Sequence, residues 1–285
     1  MKLKIYQAYY DAAQKEQLDN EFTPLDNTAN PTPELVEYAI NLKTQEMALA
    51  QGLDMWGTFS WRWKEKIRLL SAQDVVTRIE NNPGYDVYFF NGYYDQTVLA
   101  YNVWEQGQWR HKNMLQICEY LFPKLGIDVT IMFQPMSEDH MVFACYCVAT
   151  KEFWAGFMDL TKRYYDEIEK FPAEIKALHD DNAAYPNGLS FGYFPFIHER
   201  LFSTYLFLNQ HKFKVLPYHD GKAQFSVEAG LDKLSTLKET ALINQDTNLL
   251  DQWRQLRNQF IQNFTLHKKY GVDLAQYFIP FYKKS

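Results

Sequence analysis

Three cysteines in 285 residues, Cys118, Cys145 and Cys147, are too few for a disulfide framework, and the last two stand one residue apart in an apolar run. A reduced, cytoplasmic setting is the expectation. No apolar run approaches the about 18 residues needed to span a bilayer. Met1 to Tyr6 holds no apolar core of signal-peptide length. Basic residues are outnumbered, 29 against 35 acids for a net charge of −6, and no basic stripe is present, which argues against nucleic acid as a partner. Internal repeats and low-complexity tracts are absent. So are the Walker A loop, G-x-G-x-x-G, H-E-x-x-H and G-x-S-x-G. The seven histidines show no tight metal spacing, which argues against a structural zinc site and His-based hydrolase chemistry.

What is present belongs to a folded globular chain: 47% hydrophobic and 22% charged residues. Aromatics reach 17%, which favours aromatic-lined surfaces or pockets. Lys4 to Tyr10 reads as a first strand. Phe22 to Pro33 reads as a loop, too punctuated by proline for a helix. Pro33 suits a first helical turn, and Leu35, Ala39, Leu42 and Leu49 then recur at helical spacing. Strands are expected over Met55–Trp61, Tyr85–Phe90, Ile127–Phe133, Met141–Val148 and Phe213–Leu216. Helices are expected after Ser71, from His111 to Leu125, from Lys151 with Phe153, Phe157, Leu160, Tyr164 and Ile168 on one face, and over Phe196–Asn209 with Ile197, Leu201 and Leu208 inward. Beyond Ser226 the chain reads as all-helical, with Trp253, Leu256, Phe260 and Phe264 on one stripe. Strands alternating with helices predict an α/β fold with a mostly parallel sheet over residues 1–220 and a helical extension over 221–285.

In an open α/β sheet, ligands bind beyond the carboxyl ends of the strands. Two expected strands end in polar residues. After the first come Ser60, Trp61, Arg62, Trp63 and Lys64; after the second, Asn91 and Gly92. Arg62 can fork onto a diphosphate, and Trp61 or Trp63 can stack on a base or a sugar; packing of the tryptophans and an Arg62 surface ion pair is the plainer alternative. Asp86 inside an apolar strand needs a partner: a divalent cation, a ribose hydroxyl, or a neighbouring backbone amide at the strand's start. Ser137-Glu138-Asp139-His140 sets acids beside imidazole, as a general base would need, and equally suits a solvated hairpin tip. Asn187 to Phe196 is an aromatic, glycine-bearing loop, with His198, Glu199 and Arg200 in the following helix's first turn. Lys268 to Ser285 interleaves lysines with aromatics, as at a membrane interface or in an ordinary packed tail.

The order of these segments resembles bacterial cell-surface glycosyltransferases of GT-A type, a family with a Gly-x-x-His-Tyr-Arg-Arg-Tyr segment. Here it reads Gly57-Thr58-Phe59-Ser60-Trp61-Arg62-Trp63-Lys64, so one arginine of the pair remains. Asp86-Val87-Tyr88 is similar to the family's next strand and stands where an Asp-x-Asp metal motif would. Val103 to His111, and Gly192 to Phe202 with its Glu199-Arg200-Leu201, are similar to later family segments. The resemblance implies a GT-A-like fold, with Tyr6, Gln7, Ala8, Trp61, Arg62, Asp86, Asn91 and Arg200 toward a nucleotide-sugar donor. It implies Glu199, Asp139 and His111 near the sugar or acceptor, with Glu199 or Asp139 as base. Asp86 would take any Mn²⁺ or Mg²⁺. The implied activity is sugar transfer to a glycan or lipid-linked acceptor in capsule or lipopolysaccharide synthesis. Residues 268–285 would make peripheral contact with the inner membrane. The alternative is a non-catalytic glycan-binding or scaffold protein on the same fold.

Overall fold

The computed structural model describes residues 1–109, 111–181, 183–184, 190–222 and 231–263. The expected features at Asn187–Leu189, Ser226, Phe264 and residues 268–285 lie outside the described residues. The chain divides into two compact units. The first comprises 1–93, 142–170 and 194–220; the second comprises 94–141, 171–193 and 221–285.

The first unit is α/β. Its six strands are β1 (Leu3–Tyr9), β2 (Thr23–Asp26), β3 (Met55–Ser60), β4 (Val87–Asn91), β5 (Cys147–Thr150) and β8 (Val215–His219), in the order β2-β1-β3-β5-β4-β8. β5 alone runs against its neighbours β3 and β4. β1, β2 and β3 are mutually parallel, as are β4 and β8, so five strands point their carboxyl ends to one edge. Period-two alternation gives the sheet two apolar faces. On one, Ile5, Met55, Phe59, Tyr88, Phe90 and Val148 meet Val75 and Ile79 of α3 (Ala72–Asn81). Ser71 starts α3 with a reciprocal capping box to Asp74. On the other face Trp56 stacks on Trp154 of α7 (Lys151–Ile168), centroids 6.2 Å apart, and takes the Trp154 indole hydrogen bond on its carbonyl at 2.8 Å. α2 (Glu37–Ala50) and α9 (Phe194–Leu208) complete that layer.

The second unit is helical. It contains α4 (Tyr94–Leu99), α5 (Val103–Gln108), α6 (Met114–Leu125), α8 (Ala173–Asp180), α10 (Leu231–Asn244) and α11 (Thr247–Asn263), with a two-stranded antiparallel ribbon of β6 (Ala183–Ala184) and β7 (Ser190–Phe191). The short helix α1 (Ala12–Lys15) belongs to the first unit. No described helix is long and apolar enough to cross a membrane.

Several elements differ from expectation for identifiable reasons. Residues 129–133 form a 3-10 turn, not a strand, because the Asp128 carboxylate caps the Thr130 amide at 2.9 Å. The strand expected from Met141 begins only at Cys147, since Ala144 and Cys145 adopt φ of 69° and 50°. The proline-rich loop holds the edge strand β2. There Pro24 is tolerated because an edge strand can forgo a donor. Pro33 does open a helical turn, the 3-10 turn Pro33–Leu35, but Val36 breaks the chain at φ 41° and α2 begins only at Glu37. Its expected apolar stripe does not face the core. Tyr38, Ile40, Asn41, Thr44 and Ala48 are buried, while Leu42 and Leu49 are exposed. Leu208, expected inward, is exposed as well.

Candidate functional site

The carboxyl edge of the first unit's sheet gathers an ionisable cluster. Tyr10 follows β1, Ser60 ends β3, Lys66 lies just beyond it, and Tyr93 follows β4. Tyr146 precedes the antiparallel β5 and so reaches the same edge. Glu37 from the first turn of α2 and Glu199 from α9 interact with the Lys66 charge and complete it. The Tyr146 hydroxyl and the Ser60 hydroxyl are 2.9 Å apart, and the Lys66 ammonium lies 5.6 Å from the Tyr146 ring centroid. Gly92 permits the approach of the Lys66 segment: a Cβ there would meet the Lys66 carbonyl oxygen at 2.2 Å.

The cluster is set among protein atoms but not sealed. Tyr10, Glu37, Ser60, Lys66, Tyr93 and Glu199 each keep part of their surface open. Desolvation, then the Glu199 charge, raises the Glu37 carboxyl above its ordinary range. Burial works against the Lys66 charge, but Tyr146, Tyr93, Glu199 and Glu37 outweigh it and hold the amine as ammonium. Burial lifts the Tyr10 phenol to about 12, with Glu37 adding to the shift. Tyr146 is raised by burial, with Lys66 opposing. Burial and then Glu199 raise the Cys145 thiol, so it stays protonated and is no thiolate nucleophile. Its Sγ lies 3.8 Å from the Glu199 carbonyl. Of the four described non-glycine residues with positive φ, three border this cluster: Val36 beside Glu37, and Ala144 and Cys145 beside Tyr146. Such conformations persist only where the surrounding structure over-determines them, and they cluster at binding and catalytic sites. Two carboxyls, one pushed toward its neutral form, beside an ammonium can give and take protons and hold an anionic leaving group.

The residues expected from sequence are scattered. Glu199 is in the cluster. Arg200, its neighbour, is buried and donates to the Phe196 carbonyl at 2.8 Å. Tyr6, Gln7 and Ala8 lie buried within β1 rather than at its end, because the strand runs on to Tyr9. Gln7 is tied to Asp19, which accepts from its Nε2 at 3.3 Å. Arg62 is exposed and forks onto Glu65 at 2.6 and 2.9 Å; Trp61 is half-buried beside it, its ring 5.7 Å from the guanidinium. Trp63 is fully buried. Asn91 ends β4 at the carboxyl edge, buried, its amide 3.3 Å from His219 Nδ1. Asp86 sits before β4, at the opposite edge, and accepts the Lys214 amide at 2.8 Å. It is the backbone cap of the strand's start, not a neighbour of Asn91.

His111 and Asp139 belong to the second unit. His111 is buried with its ring edge-on to Tyr193, centroids 6.1 Å apart. Asp139 is exposed on a 3-10 turn, and desolvation, then Glu138, pushes its carboxyl up. The buried neighbour Glu138 anchors that turn through Lys222 at 2.5 Å and the Ser235 hydroxyl. Burial lowers His140 to about 4, and its Nδ1 meets the Ser137 hydroxyl at 2.9 Å. Among the described residues no group of three His, Cys, Asp or Glu is placed to hold a metal ion.

The chain matches no protein family, no curated protein and no solved structure. The site must therefore be read from its own chemistry. Sequence reasoning missed Glu37, Lys66, Tyr10, Tyr93 and Tyr146. The strand-end rule reaches Tyr10 and Tyr93 once β1 and β4 are given their true ends. Glu37 carries no local signal, being one acid in a helix's first turn like many others.

Proposed function

We propose that the first unit binds a nucleotide sugar and transfers its sugar to a glycan or lipid-linked acceptor. The observation that carries this reading is the convergence of Glu37, Lys66 and Glu199 at the carboxyl edge, where open α/β sheets take their ligands. An acceptor hydroxyl attacks the anomeric carbon, and its proton passes to the Glu199 carboxylate. The bond from that carbon to the diphosphate breaks, and the diphosphate leaves with the electron pair, its charge met by the Lys66 ammonium. Glu37, held toward its neutral form, donates a hydrogen bond to the sugar or the leaving oxygen. The ordered resemblance to surface-glycan glycosyltransferases supports the same reaction class. Asp86, the one residue expected to take Mn²⁺ or Mg²⁺, lies at the opposite edge of the sheet, so the step is drawn without a cation.

A glycan-binding scaffold is the second reading. It is favoured by Arg62 lying tied to Glu65 and by Asp86 being spent on the Lys214 amide. A thermal-shift screen of UDP, GDP, CMP, dTDP and ADP and their sugars, with magnesium, manganese or EDTA, separates the two. A donor at one hundred times its dissociation constant stabilises the fold by about 2.7 kcal/mol. The transferase reading expects one nucleotide class to shift the transition and Lys66→Met to abolish the shift. No shift from any nucleotide overturns it.

A further inference from the structure

The apolar stripe that α2 turns away from the core lines a second site. Leu35, Ala39 and Leu42 form one wall of a cleft of about 550 Å³, and the loop from Asn27 to Thr32 and the α7 residues Lys162, Tyr165 and Asp166 close it. We infer that this cleft binds a neutral saccharide. As its place in catalysis this rests on the transferase reading, and would make it the acceptor subsite; its ligand chemistry does not depend on that reading.

The ring that offers itself is Tyr165. One face stacks on the buried Tyr38, centroids 5.7 Å apart and planes 25° from parallel, and the residue remains 43% exposed. A tyrosine so backed is rigid and costs little entropy when a flat apolar surface, such as the C–H face of a pyranose, is laid against it. The charges on the cleft wall decide what kind of ligand accompanies that contact. Two lysines face two carboxylates, so the lining is neutral overall. Both cations are engaged: Lys162 pairs with Asp166 at 2.6 Å, and Lys43 donates to the Asp26 carbonyl. A phosphate or nucleotide would meet two carboxylates beside these two ammoniums, with no net positive charge to hold it. Glu46 is exposed and open to a donor, and Asp166 keeps a second oxygen. Acceptors beside a ring suit a ligand that brings hydroxyl donors and no charge.

The cleft also adjoins the ionisable cluster. Tyr38 on the cleft wall directly follows Glu37 in α2.

The test is capture of the full-length protein on an array of neutral oligosaccharides of glucose, galactose, N-acetylglucosamine and rhamnose, followed by titration of the best binder. Binding is expected, weakened at least tenfold by Tyr165→Ala, about 1.4 kcal/mol or more, and weakened also by Glu46→Gln. Both positions reach the surface, and the melting curve of each variant without ligand reports that the fold is kept. The nucleotide thermal shift is run on the same samples and should be unchanged by either substitution. Capture of no oligosaccharide, or binding that survives both substitutions, overturns the proposal. Saccharide binding without any nucleotide shift keeps the cleft and removes the transferase reading; a nucleotide shift without saccharide binding does the reverse.

Discussion

Glu37 shows how much one residue depends on its setting. In an isolated helix it would be an ordinary acid favoured by the helix dipole. Here desolvation and the Glu199 charge raise its carboxyl. A carboxyl whose folded pKa exceeds its unfolded value contributes stability below the unfolded value, and that contribution is lost as pH rises through the folded one. Glu37→Gln should therefore raise the melting temperature at pH 8 and change it little at pH 4. Melting curves of the two proteins across that range check this, and an equal shift at both ends would contradict it. Lys66 is the converse, since removing its neighbours would leave a desolvated ammonium. Neither residue stood out in the sequence, because both shifts come from groups far away along the chain.

Among the elements, α9 illustrates a helix whose inner face is only partly legible. Ile197 and Leu201 are buried, as the spacing predicts, but so is His198, at 1% exposure with neither ring nitrogen bonded. Its ring lies 5.4 Å from Phe157 and 5.8 Å from Tyr38. Burial lowers its pKa to about 3. As pH falls from about 6.5 toward that value, the unfolded chain takes a proton that the folded one refuses, and stability is lost. His198→Phe should remove this acid sensitivity and, by eliminating an unbonded polar ring, add about 1–3 kcal/mol at neutral pH. Urea denaturation at pH 5 and pH 7 measures both effects; a destabilised variant would mean that the imidazole has a role that packing does not explain. α2 makes the complementary point. Its regular leucine spacing reads as a core stripe, yet Tyr38, Ile40, Thr44 and Ala48 are the buried residues: Tyr38 packs on Phe194 and His198 of α9, and Thr44 meets the Thr58 hydroxyl of β3 at 3.2 Å.

At the scale of the whole molecule, the helical unit is assembled from three stretches of chain, and a fully buried ion pair ties two of them together. Arg257 on α11 and Glu105 on α5 are both fully buried, 3.0 Å apart, with Arg257 also donating to the Leu99 carbonyl at 3.2 Å. Lys238 on α10 donates to the carbonyls of Thr97 and Ala100 at 3.1 and 2.8 Å. Arg257→Met would strand the Glu105 carboxylate, at a cost of about 3–5 kcal/mol, whereas Arg257→Met with Glu105→Leu should recover most of it. Chemical denaturation of the single and double variants decides this; a double variant as unstable as the single would place the cost in packing rather than in the orphaned charge.

The sequence by itself determined the α/β class, the first and third strands, the Ser71 helix start and the aromatic faces of α7, because alternation, capping and helical spacing act between residues close in the chain. It also placed Glu199 among the candidates. The tertiary structure decided the rest. Whether Asp86 or Glu37 faces a ligand depends on which edge of the sheet each strand or helix end reaches. Whether the leucines of α2 line a core or a cleft depends on what lies across from them. Those are contacts between segments far apart in sequence, and no local pattern encodes them.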